Sequence, residues 1–119
     1  MNPAATGLRI TDLNGVSRVD FIERNILDEA NIQQIGDELG RLVEASPRPR
    51  ILICFENVEH LSSAALGTLI TVSNQVKARD GQLRLSDIRP QIKEIFSITR
   101  LDRLFEIHET SDDALATFG

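Results

Sequence analysis

The sequence predicts an α/β fold: a mixed β-sheet that opens with an antiparallel hairpin, continues in parallel βα units and packs about four helices. Three observations lead there. Ile51-Leu52-Ile53-Cys54-Phe55 is a short unbroken apolar run, the pattern of a strand covered on both faces of a sheet. Directly after it the apolar spacing becomes helical, with Leu66, Leu69, Ile70, Ser73 and Val76 on one face. Strand-like and helix-like segments then alternate to the end of the chain, which implies parallel strands joined by right-handed crossovers.

Leu8, Ile10 and Leu13 supply the first strand, Asn14-Gly15 a tight turn whose residues tolerate positive φ, and residues 16–22 an alternating partner strand. Between 25 and 45 the apolar positions Ile32, Ile35, Leu39, Leu42 and Val43 recur at helical spacing. Asp28 and Glu29 favour the N-terminus of that helix electrostatically, and Gly36 and Gly40 are expected to mark close packing on the sheet. Ser46-Pro47-Arg48-Pro49-Arg50 breaks the chain as a surface loop. The central strand and a serine-headed helix follow, ending near Ala78-Arg79-Asp80-Gly81, where Gly81 is expected as the cap or turn residue. Residues 82–88 alternate as a further strand. Pro90 suits a first helical position, and Ile92, Ile95 and Phe96 give a short apolar face. A turn over 99–103 leads to a strand over 104–108. Thr110 or Ser111, with Asp112 and Asp113 in the first turn, opens a last helix through Ala114, Leu115 and Phe118.

At 119 residues the chain is expected to be one domain, 1–119 with its core at about 8–118, able to bury about two-thirds of its unfolded surface without disulfides or metal. A net charge of -5, with 13 Lys+Arg scattered among 18 acidic residues, argues against direct nucleic-acid binding, which needs a basic face. The absence of Trp and Tyr argues the same way, because stacking platforms are few. Cys54 is the lone cysteine and reads as a small hydrophobe in the sheet. The start of the chain lacks a basic and apolar leader pattern, and no apolar stretch approaches the roughly 20 residues that span a bilayer. No membrane insertion and a cytoplasmic location are therefore expected.

The residues offer little catalytic chemistry. His60 lies near Ser62 and Ser63, but a nucleophilic triad also needs an orienting carboxylate and an oxyanion hole, and alanines stand where a nucleophile elbow has glycines. His60 reads as a polar loop residue. His108 has Glu109 beside it, yet the two histidines lack partners at metal-ligand spacing, so no metal is expected. Neither phosphate-loop nor dinucleotide glycine pattern is present, and no cofactor is expected. What remains is the pair of serines where a strand's end meets a helix's start, a place that favours anions. One serine suffices as N-cap; the other is then an exposed hydroxyl that is either unmodified or a phosphorylation site.

These residues resemble the bacterial anti-sigma factor antagonists of the STAS domain superfamily. That family's segment, roughly apolar-x-Asp-Ser-Ser/Thr-Gly-Leu-Gly-x-apolar-apolar, aligns without a gap on residues 60–70. Leu66 and Gly67 match, Ser63 falls on the serine that family members have phosphorylated, and Ser62, Ala64 and Ala65 replace the Asp, the second hydroxyl residue and the Gly. Gly81-Gln82-Leu83-Arg84-Leu85 resembles the family's Gly-x-Leu-x-Leu strand, Leu27-Asp28 its Leu-Asp, and residues 95–101 its Leu-Phe-Asp-Ile-Thr-Gly-Leu turn, with Ser97 and Arg100 departing.

The resemblance implies a single STAS-like domain that is not an enzyme and works as a regulatory binding module in bacterial signal transduction and transcription regulation. It would capture a protein partner, an anti-sigma factor that is often a serine kinase, in a manner switched by phosphorylation at Ser63, less readily at Ser62, with a phosphatase to reset it. Ser62, Ser63, Ala64 and Gly67 would face that partner. The alternative it implies is a constitutive, non-phosphorylated STAS interaction or scaffold subunit of a regulatory or lipid-transport complex.

Overall fold

A two-residue turn makes the first strands a hairpin, and the rest of the sheet is built onto one edge of it. A computed structural model describes residues 7–118; of the expected frayed start, only Gly7 lies within the described residues. The elements in chain order are β1 (Leu8–Leu13), β2 (Val16–Phe21), β3 (Asn25–Ile26), α1 (Glu29–Glu44), β4 (Arg50–Cys54), β5 (His60–Leu61), α2 (Ser63–Ala78), β6 (Gln82–Ser86), α3 (Pro90–Ile98), β7 (Glu106–His108) and α4 (Ser111–Leu115), with a 3-10 turn at Leu101–Arg103 before β7. The main sheet runs β1-β2-β4-β6-β7, antiparallel between β1 and β2 and parallel thereafter. This is the mixed α/β architecture expected from the sequence. Asn14 and Gly15 both take positive φ at the hairpin, +54° and +89°, as a two-residue turn between twisted strands requires.

Strand pleating divides the core. Val19, Phe21, Ile51, Ile53 and Leu85 pack with Ile32, Ile35 and Leu39 of α1, Leu66, Leu69, Val72 and Val76 of α2, and Ile92 and Phe96 of α3. On the opposite face Val16 and Leu52 pack with Ala114 of α4. The central strand β4 is thus covered on both sides, as its unbroken apolarity requires.

Several sequence expectations need correction. Helix α1 starts at Glu29 with Asp28 ahead of it, as expected, but Asn25–Ile26 pairs in parallel with His60–Leu61 as a separate two-stranded sheet that the sequence did not suggest. Ile26 is buried there. Gly36 and Gly40 face α2, not the sheet: a Cβ on Gly36 would lie 3.1 Å from Thr68 Cγ2, and one on Gly40 3.9 Å from Gln75 Oε1. Asp80, with φ +54°, takes the turn conformation assigned to Gly81. Gly81 is required for space instead, since a Cβ there would run into the Pro49 carbonyl oxygen and lie 2.9 Å from Val76 Cγ1. The strand expected over 82–88 stops at Ser86, and Asp87 turns away with φ +58°. The strand expected over 104–108 begins at Glu106, and the last helix ends at Leu115.

Candidate functional site

Because β3 and β5 are parallel, they deliver the N-termini of α1 and α2 side by side, at the end of the sheet where the parallel strands finish. The loop from β4 into this corner is held firmly. Val58 is fully buried, Asn57 Nδ2 donates to the Phe21 carbonyl at 3.2 Å, and the amides of Glu59 and His60 both donate to the Arg24 carbonyl, at 2.7 and 3.1 Å. Arg89 Nη2, from the start of α3, donates to the Glu56 carbonyl at 3.1 Å. The Ser62 amide closes the corner by donating to the Ile26 carbonyl at 3.1 Å.

The two serines have different roles in this frame. Ser62 is the N-cap of α2, with φ -81° and ψ 165°, and its Oγ accepts from the Ala65 amide at 3.2 Å. The helix's own ladder begins with the Leu66 amide on the Ser62 carbonyl at 3.1 Å. Of the four leading amides that a helix leaves without internal partners, those of Ser63 and Ala64 therefore have no partner among the described residues. Ser63 sits at the first helical position, exposed, and among the described residues its hydroxyl makes no hydrogen bond. Ala64 and Gly67 are exposed beside it, one turn apart.

Neighbouring side chains extend the same surface. Leu27 follows the Ile26 carbonyl that holds Ser62 and is 55% exposed, large for a leucine on an otherwise polar corner. Asp28 caps α1 through its backbone, accepting from the Ile32 amide at 2.9 Å, without a side-chain cap bond. The binding surface assigned from the sequence omitted these two residues; the signal was an apolar residue set just ahead of an acidic helix start. Beneath the corner, Phe21, Ile26, Leu61, Ala65 and Leu69 close on a cavity of only about 10 Å³. Among the described residues the site is therefore a surface laid over this small closed cavity.

His60 is an exposed strand residue of β5 and not the loop residue expected, and no bond joins it to either serine among the described residues. His108 Nε2 contacts Glu106 Oε2 at 2.8 Å, and that carboxylate also takes Arg84 Nε at 2.7 Å, across the sheet edge from the serines. Among the described residues no three His, Cys, Asp or Glu side chains are placed to hold a metal, and no helix is long and apolar enough to cross a membrane.

Cys54 is more than the plain hydrophobe expected. Its Sγ donates to Asp87 Oδ2 at 3.3 Å, the Ser86 hydroxyl donates to the same oxygen at 2.8 Å, and Arg18 Nη2 reaches the sulfur at 3.6 Å. Arg18 also forks onto Asp20 at 3.1 Å, which keeps its guanidinium still more firmly protonated, and donates to Ser111 Oγ, tying α4 to the sheet. Burial pushes the Cys54 thiol up to about 11, with the Asp87 carboxylate adding to the shift, so the thiolate that a reactive cysteine needs is suppressed.

The class these features define is a small mixed α/β domain presenting a serine-headed helix at the C-terminal end of its parallel strands. The chain belongs to the STAS domain family, whose model matches residues 24–114. It is 26% identical over 95 residues to BtrV of Bordetella bronchiseptica, a protein named provisionally as an anti-sigma factor antagonist; the match covers 80% of this chain and 81% of that one. The fold superposes on an anti-sigma-factor antagonist (STAS) domain protein from Planctomyces limnophilus with a TM-score of 0.83 at 22% identity, over 92% of this chain and 95% of that one. It also superposes on the Bacillus cell fate determinant SpoIIAA in its phosphorylated form, with a TM-score of 0.70 at 14% identity, over 92% and 96% of the two chains.

Proposed function

We propose that this chain is a regulatory binding module of the anti-sigma factor antagonist kind, without catalytic turnover, whose grip on an anti-sigma factor or serine kinase is released by phosphorylation at Ser63 and restored by a phosphatase. The observation that carries the reading is the division of labour between the serines: Ser62 Oγ is committed to the Ala65 amide, which leaves the exposed Ser63 hydroxyl available for transfer. A phosphate there would meet two open amides and the positive end of a sixteen-residue helix. It would also place nearly two further negative charges on the surface formed by Leu27, Ser62, Ala64 and Gly67. The domain would keep its fold while the docking surface gains negative charge. On this reading the chain acts in the bacterial cytoplasm, upstream of a sigma factor.

One observation favours a second reading. Ser62 stands where the family resemblance puts an Asp, and if the kinase requires that carboxylate the chain is a constitutive binder or scaffold subunit. Capture with Ser63→Asp and Ser63→Ala variants separates the two. The switched module keeps its partner as Ser63→Ala and loses it as Ser63→Asp; equal capture by both variants would overturn the switch.

A further inference from the structure

The opposite end of the sheet carries a feature that the serine surface does not explain. An open cleft of about 490 Å³ lies where β4 and β6 begin, lined by Arg48, Pro49, Arg50, Asp80, Gly81 and Gly15 of the hairpin turn. Arg48 and Arg50 are exposed, and among the described residues neither has a carboxylate within ion-pair distance. Lys77 and Arg79 lie at the same end, but they complement the C-terminus of α2, where the helix dipole favours cations. Arg48 and Arg50 are on no helix and have no such role.

Their backbone is held more rigidly than a surface loop needs. Arg48 stands between two prolines, each fixing its own φ and pressing the preceding residue toward an extended conformation. Pro49 is buried, and its carbonyl accepts the Gln82 amide at 2.8 Å, while the Cβ-free Gly81 lets the two segments touch. Arg50 is then locked into the parallel register opposite Gln82. Two guanidinium groups two residues apart therefore project into one cleft from a segment already ordered. The backbone is ordered before binding, so only the two side chains remain to be fixed, and a guanidinium fork matches the oxygens of a phosphate. Gly15 lies beside the second fork, since a Cβ built there would sit in van der Waals contact with Arg50 Nη1 at 4.0 Å.

We propose that the Arg48–Arg50 cleft is a binding site for a phosphate dianion, either inorganic phosphate or the phosphate group of a small metabolite, separate from the serine surface. Asp80 is the opposing charge on its wall, and it sets the sign of a second test. Its left-handed backbone is one that Asn also adopts readily, so Asp80→Asn removes a charge without straining the turn.

The experiment is a titration of the full chain with inorganic phosphate, and separately with glycerol phosphate, at constant ionic strength, followed by amide NMR shifts. Saturating shifts at Gly15, Arg50, Gly81 and Gln82 are expected with both probes if the phosphate group alone is read, and tighter saturation with the ester identifies a metabolite. Arg48→Gln and Arg50→Gln should each weaken binding by about tenfold, the loss of one charge-assisted hydrogen bond, whereas Asp80→Asn should tighten it. Arg48 is exposed in its loop, so its variant remains informative even if Arg50→Gln disturbs β4. Shifts that rise without saturation, or that are unchanged in Arg48→Gln, would overturn the assignment.

Discussion

Replacing Ser62 by Ala removes the oxygen that accepts the Ala65 amide at 3.2 Å and leaves that amide, on a buried residue, without its partner. Loss of a serine N-cap costs about 1 kcal/mol. For a domain of this length that loss corresponds to a fall of about 4 °C in Tm. Ser63→Ala, one position on, removes an exposed hydroxyl with no hydrogen bond and substitutes a better helix former, so its effect on stability should be a few tenths of a kcal/mol at most. Urea titrations of the two variants at neutral pH give the comparison, with an unchanged slope confirming that only stability has moved. Ser62→Asp should recover the stability, because a carboxylate caps as well as a hydroxyl and suits the helix dipole. Equal losses for Ser62→Ala and Ser63→Ala, or a loss confined to Ser63→Ala, would refute the division of labour between the serines.

Three further outcomes follow from the packing and the titratable groups. Gly81→Ala should destabilise by more than 2 kcal/mol in the same titration, since the new methyl meets the Pro49 carbonyl and Val76 and neither neighbour is a flexible side-chain end. Arg100→Gly should be neutral to stabilising, by up to about 1 kcal/mol: Arg100 holds φ +63° ahead of the 3-10 turn, a conformation that favours glycine, although glycine also adds freedom to the unfolded chain. For Cys54, the folded thiol is raised from 9.0 to about 11, so the unfolded chain loses its proton first. Its contribution to stability is whole below about pH 9 and is lost as pH rises toward 11, and Cys54→Ala should lack that alkaline decline when melting is followed against pH.

The layered core was legible in the sequence because its signals are periodic and local: the unbroken run at 51–55, the helical spacing of Leu66, Leu69 and Val76, and Asn14-Gly15 between alternating strands. That one of the two serines caps α2 was legible for the same reason, but not which one: residue type at the boundary suits both, and it is the bond from the Ala65 amide that singles out Ser62. The small sheet of β3 and β5 was not legible. Two-residue strands have no period, and Asn25–Ile26 is held by pairing with residues 35 positions away. That pairing is also what brings Leu27 and Asp28 beside the serines. Gly81 and Asp80 exchanged roles because composition suggests glycine for positive φ, while the contact that demands glycine comes from Pro49 in another segment. The bonds joining Cys54 to Asp87 and Arg18 likewise depend on strand register, which apolarity alone does not specify.

Phosphosite mapping on the protein captured with its partner tests the central claim most directly. The tagged chain is recovered from its own cells, bound proteins are identified, and the modified residue is located by fragmentation. The account predicts two populations: an unmodified chain that carries a protein partner, and a partner-free chain whose phosphate is on Ser63. Partner-bound chain carrying phosphate on Ser63, or a partner released while Ser63 stays unmodified, would contradict it.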